Sequence, residues 1–217
     1  DHTGLTIYDY YGQTETIPLV ANYTCMPIKE GSMGLPTPGS DVSIVDDDGN
    51  VLADGTEGHI AVRIKPVRPP GVFDGYWRDE ESTTFVGDWY FTGDRAYRDE
   101  DGYFWFVGRA DDLIKSSGYR IGPFEVESAL QEHPAVLESA VIGVPDDLRG
   151  QLVKAFVVLA PGYEGSEELV KELQDHVTTV TAPYKYPRII EFMEELPKTI
   201  SGKVRRVELR QRESEKE

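Results

Sequence analysis

Short apolar runs that alternate with polar residues, followed by a switch to helical spacing, predict a mixed α and β protein. The expected architecture is a small antiparallel β-barrel or sandwich, then an α+β unit. Glycine (21) and proline (14) are scattered as turn punctuation, with no low-complexity tract and no fixed-period repeat. Hydrophobic residues at 39% and aromatics at 11% of 217 residues supply a packed core, which a disordered acidic tail would lack.

Residues 5–23 read as a short strand, a polar Gly-containing turn and more apolar sequence. The opening strand is expected to belong to a larger sheet. Val42 and Ile44 alternate before the acidic turn Asp46-Asp47-Asp48-Gly49-Asn50, a hairpin signal. Residues 59–64 alternate again, and the turn Asp99-Glu100-Asp101-Gly102 separates Tyr90-Phe91 from the aromatic run 103–107. That run, with Trp77 and Trp89, reads as packing. After Gly108 the period changes. Residues 123–133 read as a helix with Pro123 in its first turn and Val126, Ala129 and Leu130 on one face. Strands at 139–144 and 153–159 follow, then a helix over 166–177 started by Ser166, a strand at 189–193 and a terminal helix from Val204. The boundary between the two patterns falls near Arg109 to Asp112.

Lys and Arg total 22 against 39 Asp and Glu, a formal charge of −17. That balance disfavours a general nucleic-acid binder, which relies on clustered cations, and is compatible with a small anionic ligand in a local basic pocket. The excess acid lies mostly in hairpin turns and helix faces, where solvation is the ordinary reading. No apolar run approaches the ~18 residues of a membrane span. The first residues lack the basic and apolar regions of a signal peptide. The single cysteine, Cys25, excludes an intramolecular disulfide framework and reads as a buried structural thiol. Together these give the expectation of a cytoplasmic protein. His2, His59, His133 and His176 are dispersed, without the spacing of a zinc site.

Four constellations carry chemistry. In Asp9-Tyr10-Tyr11-Gly12-Gln13-Thr14-Glu15-Thr16, hydroxyl, amide and carboxylate groups surround a glycine that permits close approach to a ligand, with a polar turn after a strand as the plain alternative. A hydroxyl suits a phosphate oxygen, a Glu suits Mg²⁺ and a ring suits a base. In Tyr90-Phe91-Thr92-Gly93-Asp94, a carboxylate at a strand end suits the two hydroxyls of a ribose, and Arg109 follows fifteen residues on; a strand-capping Asp and a surface Arg are the plain alternative. In the segment 108–127, small polar residues alternate with Gly and Arg where the two halves join, as in a ligand-bearing or merely solvated loop. In Pro197-Lys198-Thr199-Ile200-Ser201-Gly202-Lys203-Val204-Arg205-Arg206, four cations in ten residues break the acidic trend. Lys203 follows Ser-Gly on what reads as a flexible turn, where an ammonium can meet developing negative charge. The spacing of a Walker loop is absent.

In this order and spacing, these elements closely resemble the acyl-adenylate-forming superfamily of acyl-CoA synthetases, nonribosomal-peptide adenylation domains and firefly luciferase. The strings RPPGVFDGYW, SSGYRIGPFEVE, TAPYKYPR and PKTISGKVRR are most similar to the medium-chain acyl-CoA synthetase branch. The resemblance implies that residues 1–110 end a large adenylation domain and 111–217 form a mobile C-terminal domain hinged at Asp111. It implies ATP or AMP contacts at Asp9, Tyr10, Tyr11, Gly12, Gln13, Thr14, Asp94, Arg109 and Arg120, with Tyr11 stacked on adenine and Asp94 on the ribose. Glu15 is implied as the Mg²⁺ residue, and Ser117, Gly118, Tyr119 and Arg149 as CoA contacts. Lys203 is implied as the catalytic lysine.

The implied reaction activates a carboxylic (fatty) acid with ATP to acyl-AMP and pyrophosphate, then transfers the acyl group to CoA. The resemblance also places a phosphate loop and most of the acyl pocket upstream, so this chain is expected to be inactive alone. Residues 17–21 are expected to line the far end of the acyl site. Two alternatives stand beside this reading. One is an adenylation domain that loads a carrier protein, which usually carries Lys-Ile-Arg-Gly where this chain has Lys115-Ser116-Ser117-Gly118. The other is a non-catalytic nucleotide- or CoA-binding module.

Overall fold

The computed structural model describes residues 4–78 and 84–216, which divide into two compact units, 1–110 and 111–217. The first unit is antiparallel β-structure. Three two-residue strands, β1 (Tyr10–Tyr11), β2 (Val20–Ala21) and β3 (Leu35–Pro36), form a small sheet. A five-stranded sheet is built from β4 (Val42–Val45), β5 (Gly58–Arg63), β6 (Phe85–Val86), β7 (Trp89–Arg98) and β8 (Phe104–Arg109). Its order is β4-β5-β7-β6, with β8 also on β7. One core joins the two sheets: Leu19 and Val20 pack with Val42, Ile44, Ile60, Val62, Tyr90 and Phe104. At roughly 1.5–3 kcal/mol for each fully buried large side chain, this cluster is the main source of stability in the unit.

The second unit is the α+β unit expected from the sequence. β9 (Ile114–Ser116) and β10 (Tyr119–Ile121) form a hairpin, followed by α1 (Pro123–Gln131), β11 (Val136–Asp146) and β12 (Gly150–Leu159). Then come α2 (Glu167–Val180), β13 (Ile189–Met193) and α3 (Arg206–Ser214). The sheet order is β10-β9-β12-β11, with β13 parallel to β12. Because successive strand side chains point to opposite faces, β12 feeds two cores. Val153, Ala155 and Val157 join the cluster under α1 and α2, while Phe156 and Val158 join the cluster that holds Leu209 of α3. In α2, Ser166 caps the first turn by accepting from the Leu169 amide at 3.1 Å, and Leu169, Leu173 and Val177 line the buried face.

Several expectations are corrected. The opening strand begins only at Tyr10, and Leu5 and Ile7 are 73% and 83% exposed; pairing with β2 reaches back no further than the Asp9 carbonyl, which accepts from the Asn22 amide at 2.9 Å. Cys25 is exposed rather than buried, and Trp77 is 87% exposed whereas Trp89 does pack, because apolar type alone does not dictate burial. Leu19, Val20 and Ala21 are buried in core and strand, which leaves only Ile17 and Pro18 of the 17–21 stretch open to a ligand. The terminal helix starts at Arg206, two residues late, since Val204 bridges to Lys198. His2 lies outside the described residues.

Candidate active site

In the first unit the residues marked by sequence converge on a cleft of about 330 Å³ whose lining includes Gln13, Glu15, Tyr76, Tyr90, Thr92 and Arg109. Asp94 lies in β7, only 5% exposed, and a carboxylate so buried requires donors. Its Oδ2 accepts from the Tyr11 hydroxyl at 2.6 Å and from Gln13 Nε2 at 2.9 Å. Arg109 Nε stands 3.6 Å from Oδ1, brought there because Arg109 is the β8 partner of Asp94. The fifteen-residue spacing is therefore the length of a hairpin, and it delivers both groups to one end of a strand pair. Burial, reinforced by Asp94, pushes the Tyr11 hydroxyl well above its ordinary pKa, so it remains a donor.

Gly12 has a different reason from the one expected. A Cβ there would stand 2.9 Å from Ile17 O, so the close approach it allows is that of its own turn. The turn is closed by Gln13 N donating to Thr16 Oγ1 at 3.0 Å. Asp9, Tyr10 and Thr14 are exposed, Tyr10 by 70%. Glu15 Oε1 accepts from the Tyr76 hydroxyl at 2.7 Å. Among the described residues no group of three metal-ligating side chains occurs. A lone carboxylate at the cleft fits Mg²⁺, which is commonly held by one or two carboxylates together with substrate phosphates and water.

In the second unit, the segment read as a polar loop is a two-residue hairpin. Ser117 and Gly118 have φ of +51° and +83°, the left-handed pair that matches strand twist. Ser117 N donates to Arg149 O at 2.9 Å and Ser116 pairs with Gly150, so Ser117, Gly118, Tyr119 and Arg149 are neighbours. Arg120 lies directly across from Lys115. Like charges at opposed positions oppose pairing. No carboxylate lies within ion-pair distance of Lys115, Arg120 or Arg149 among the described residues, although most cations in this acidic chain are paired. The exposed Tyr119 ring stacks on Tyr184, centroids 4.1 Å apart and 14° from parallel. Sequence reading missed Lys115 and Tyr184; the SSGYR and TAPYKYPR strings held them, but only the fold joins them.

Lys203 sits on a bonded turn rather than a flexible one. Thr199 N donates to Lys203 O at 2.8 Å, and Lys203 N to Thr199 Oγ1 at 3.1 Å. From Lys198 to Lys216, Lys198, Arg205, Arg206, Arg210, Arg212 and Lys216 each pair with a carboxylate. Lys203 alone among them has no partner within the described residues. Asp111 is exposed and begins the second unit, and Asp112 beside it is held by Arg206 and Arg210.

The chain matches the family model for AMP-binding enzymes over residues 1–77 and that for the AMP-binding enzyme C-terminal domain over residues 125–203. It is 60% identical over 215 residues to the mitochondrial acyl-coenzyme A synthetase ACSM3 of Homo sapiens, covering 97% of this chain and 37% of that protein. This chain belongs to the AMP-binding enzyme family. A second relative is 4-hydroxybutyrate–CoA ligase 1 of Metallosphaera sedula, 56% identical over 218 residues, 100% of this chain and 38% of that one. The chain thus spans somewhat over a third of the length of the curated relatives it matches. Its fold matches the crystal structure of anthranilate CoA ligase AuaEII in complex with anthranoyl-AMP, TM-score 0.87 at 40% identity, over 99% of this chain and 40% of that one. ATP-bound MatB from Rhodopseudomonas palustris gives 0.84 at 34% identity, over 97% and 41%.

One expectation is overturned here. ACSM3 and, at 59% identity, ACSM5 of Rattus norvegicus are named as mitochondrial, which points to mitochondria and away from the cytoplasm. A lone cysteine reports on disulfide chemistry and carries no cellular address.

Proposed function

We propose that this chain is part of an AMP-forming acyl-CoA synthetase of the medium-chain type, which joins a carboxylic acid to CoA through an acyl-AMP intermediate. The observation that carries the reading is the placement of charge. In a chain with 39 acidic residues, the resemblance assigns phosphate chemistry to Arg109, Arg120, Arg149 and Lys203; Arg109 stands beside Asp94, and the other three have no carboxylate partner among the described residues.

In this reading Asp94, held by Tyr11 and Gln13, accepts the ribose hydroxyls of ATP, and Arg109 stands beside it. The Tyr11 ring lies beneath the adenine. Glu15 holds Mg²⁺, which supplies neutralising charge to the phosphates when bound. The substrate carboxylate attacks the α-phosphorus, pyrophosphate leaves, and the Lys203 ammonium offsets the negative charge that builds on the phosphoryl oxygens. Asp111 serves as the hinge at which the backbone changes between half-reactions. Ser117, Gly118, Tyr119 and Arg149 then receive CoA, whose thiol displaces AMP. Lys115 and Arg120 on the hairpin, and Arg149 in the β11–β12 turn bonded to it, have no carboxylate partner among the described residues, which favours a free polyanionic thiol over a carrier protein.

The full-length enzyme is expected to form AMP, pyrophosphate and acyl-CoA from a fatty acid, ATP and CoA. Lys203→Ala is expected to cut ATP–pyrophosphate exchange by about 10²–10³ while retaining thioester formation from synthetic acyl-AMP. Wild-type exchange in that variant would remove Lys203 from the mechanism.

A further inference from the structure

We propose that Tyr90 is a positioning residue for nucleotide recognition: its hydroxyl fixes the Gln13 amide, and that amide fixes the Asp94 carboxylate. The inference rests on the reading above in which Asp94 takes the ribose hydroxyls.

The Gln13 amide has three polar neighbours. Its Nε2 stands 2.8 Å from Thr92 O and 2.9 Å from Asp94 Oδ2, and its Oε1 stands 2.9 Å from the Tyr90 hydroxyl. A backbone carbonyl and a carboxylate only accept, so the NH₂ group must face both of them. The reversed amide would set its oxygen against two acceptors. With the amide so fixed, Oε1 faces Tyr90, and the Tyr90 hydroxyl must donate. Burial, aided by nearby Glu15, pushes the Tyr90 hydroxyl above its ordinary pKa, so this donor persists at any working pH. The bonds therefore run in one direction, from Tyr90 to Gln13 to Asp94, and the Tyr11 hydroxyl converges on the same Oδ2.

The two ends of this relay differ in stiffness. Tyr90 is 1% exposed, and its ring packs edge-on to Phe73 at 5.4 Å and against Phe85 at 5.6 Å. Its hydroxyl is thus placed by the core of the unit. Gln13 sits on a turn with three side-chain torsions, and ordering such a side chain costs entropy unless something holds it. Tyr90 holds it. Without that hydroxyl the amide oxygen loses its donor, the side chain regains alternative rotamers, and Asp94 is no longer aligned when a ribose arrives.

The test is Tyr90→Phe in the full-length enzyme, which removes one oxygen and keeps the ring. Initial rates are measured with ATP, 2′-deoxy-ATP and 3′-deoxy-ATP, together with the thermal midpoint. The ATP KM is expected to rise about five- to tenfold, the effect of losing one buried hydrogen bond, with kcat within about twofold. The preference for ATP over the deoxy analogues is expected to shrink by about the same factor, with little change in midpoint. Gln13→Met, which keeps length and lacks the donor, is expected to lose at least as much preference. A packing role alone would lower the midpoint and leave the preference intact, and that result overturns the proposal. So does a Gln13→Met enzyme that loses the preference beside a Tyr90→Phe enzyme that keeps it. A wild-type enzyme that treats ATP and its deoxy analogues alike overturns the assignment of Asp94 and the relay with it.

Discussion

Asp99 shows how much a single acidic side chain can do in a turn that its sequence presents as solvated surface. Its Oδ1 accepts the amides of Asp101 at 3.0 Å and Tyr103 at 2.9 Å, and its Oδ2 accepts Lys29 Nζ at 2.6 Å and Trp105 Nε1 at 3.0 Å. Burial favours the neutral acid, but the bonds from Lys29, Trp105 and Tyr103 outweigh it and bring the pKa down to about 2. A carboxyl whose pKa is lower folded than unfolded adds stability above its unfolded value, and that stability is lost as pH falls toward the folded one. Thermal midpoints from pH 5 to pH 2 are therefore expected to fall more steeply in the wild type than in Asp99→Asn. Parallel slopes would show that the cluster at Asp99 is energetically idle. Asp46 behaves alike on a smaller scale: a bond from the Asn50 side chain, with the Asn50 and Asp48 amides, holds its pKa low. Part of the acid excess thus pins turns and is more than a solvating coat.

The β9–β10 hairpin is secured as an element by a side chain from outside it. Gln151 Oε1 accepts the Lys115 amide at 2.8 Å, and the Gln151 side chain lies over Gly143 of β11. A Cβ at Gly143 would stand 2.9 Å from Gln151 Cδ, so Gly143→Ala must push that side chain away. The exposed end of a glutamine moves readily, and the Lys115 amide then loses its acceptor. Gly143→Ala is expected to cost about 1 kcal/mol and to weaken CoA use, read as a raised KM for CoA. ATP–pyrophosphate exchange in the same variant is expected to stay at the wild-type level. Equal damage to both would show that Gly143 serves the sheet as a whole rather than the hairpin.

At the scale of the second unit, buried ion pairs tie α3 to the rest. Glu127 of α1 is 7% exposed and binds Arg206 through both oxygens at 2.7 Å, while its Oε1 also accepts the Val141 amide at 2.8 Å. Arg206 and Arg210 both reach Asp112, and Lys154 of β12 pairs with Glu191 and Glu213 at 2.8 and 2.5 Å. Removing one member of a buried pair costs more than the pair contributes, because the remaining charge stays desolvated. Arg206→Ala is expected to destabilise residues 111–217 by about 3 kcal/mol in chemical denaturation, since Glu127 would keep only its amide donor. A loss under about 0.5 kcal/mol would mean that water replaces the guanidinium at no cost.

The sequence by itself determined the elements whose pattern is local. Val153, Ala155 and Val157 against Phe156 and Val158 announce a two-faced strand, and Ser166 announces the start of α2. It also placed Asp94, Arg109 and Lys203 as candidates, because short motifs carry residue type and spacing intact. What it could not contain is partnership across the chain. Tyr90 meets Gln13 over 77 positions and Tyr119 meets Tyr184 over 65, and no periodicity encodes either pair. Exposure escaped it at Cys25 and Trp77, and turn geometry escaped it at Ser117, a non-glycine residue at positive φ. The charge of −17 is the plainest case: composition fixed the total, but only tertiary structure decided which cations are neutralised. An ion pair forms through space within about 4 Å, and folding pairs Arg206, Arg210 and Lys154 with carboxylates, while Lys203 has no carboxylate partner among the described residues.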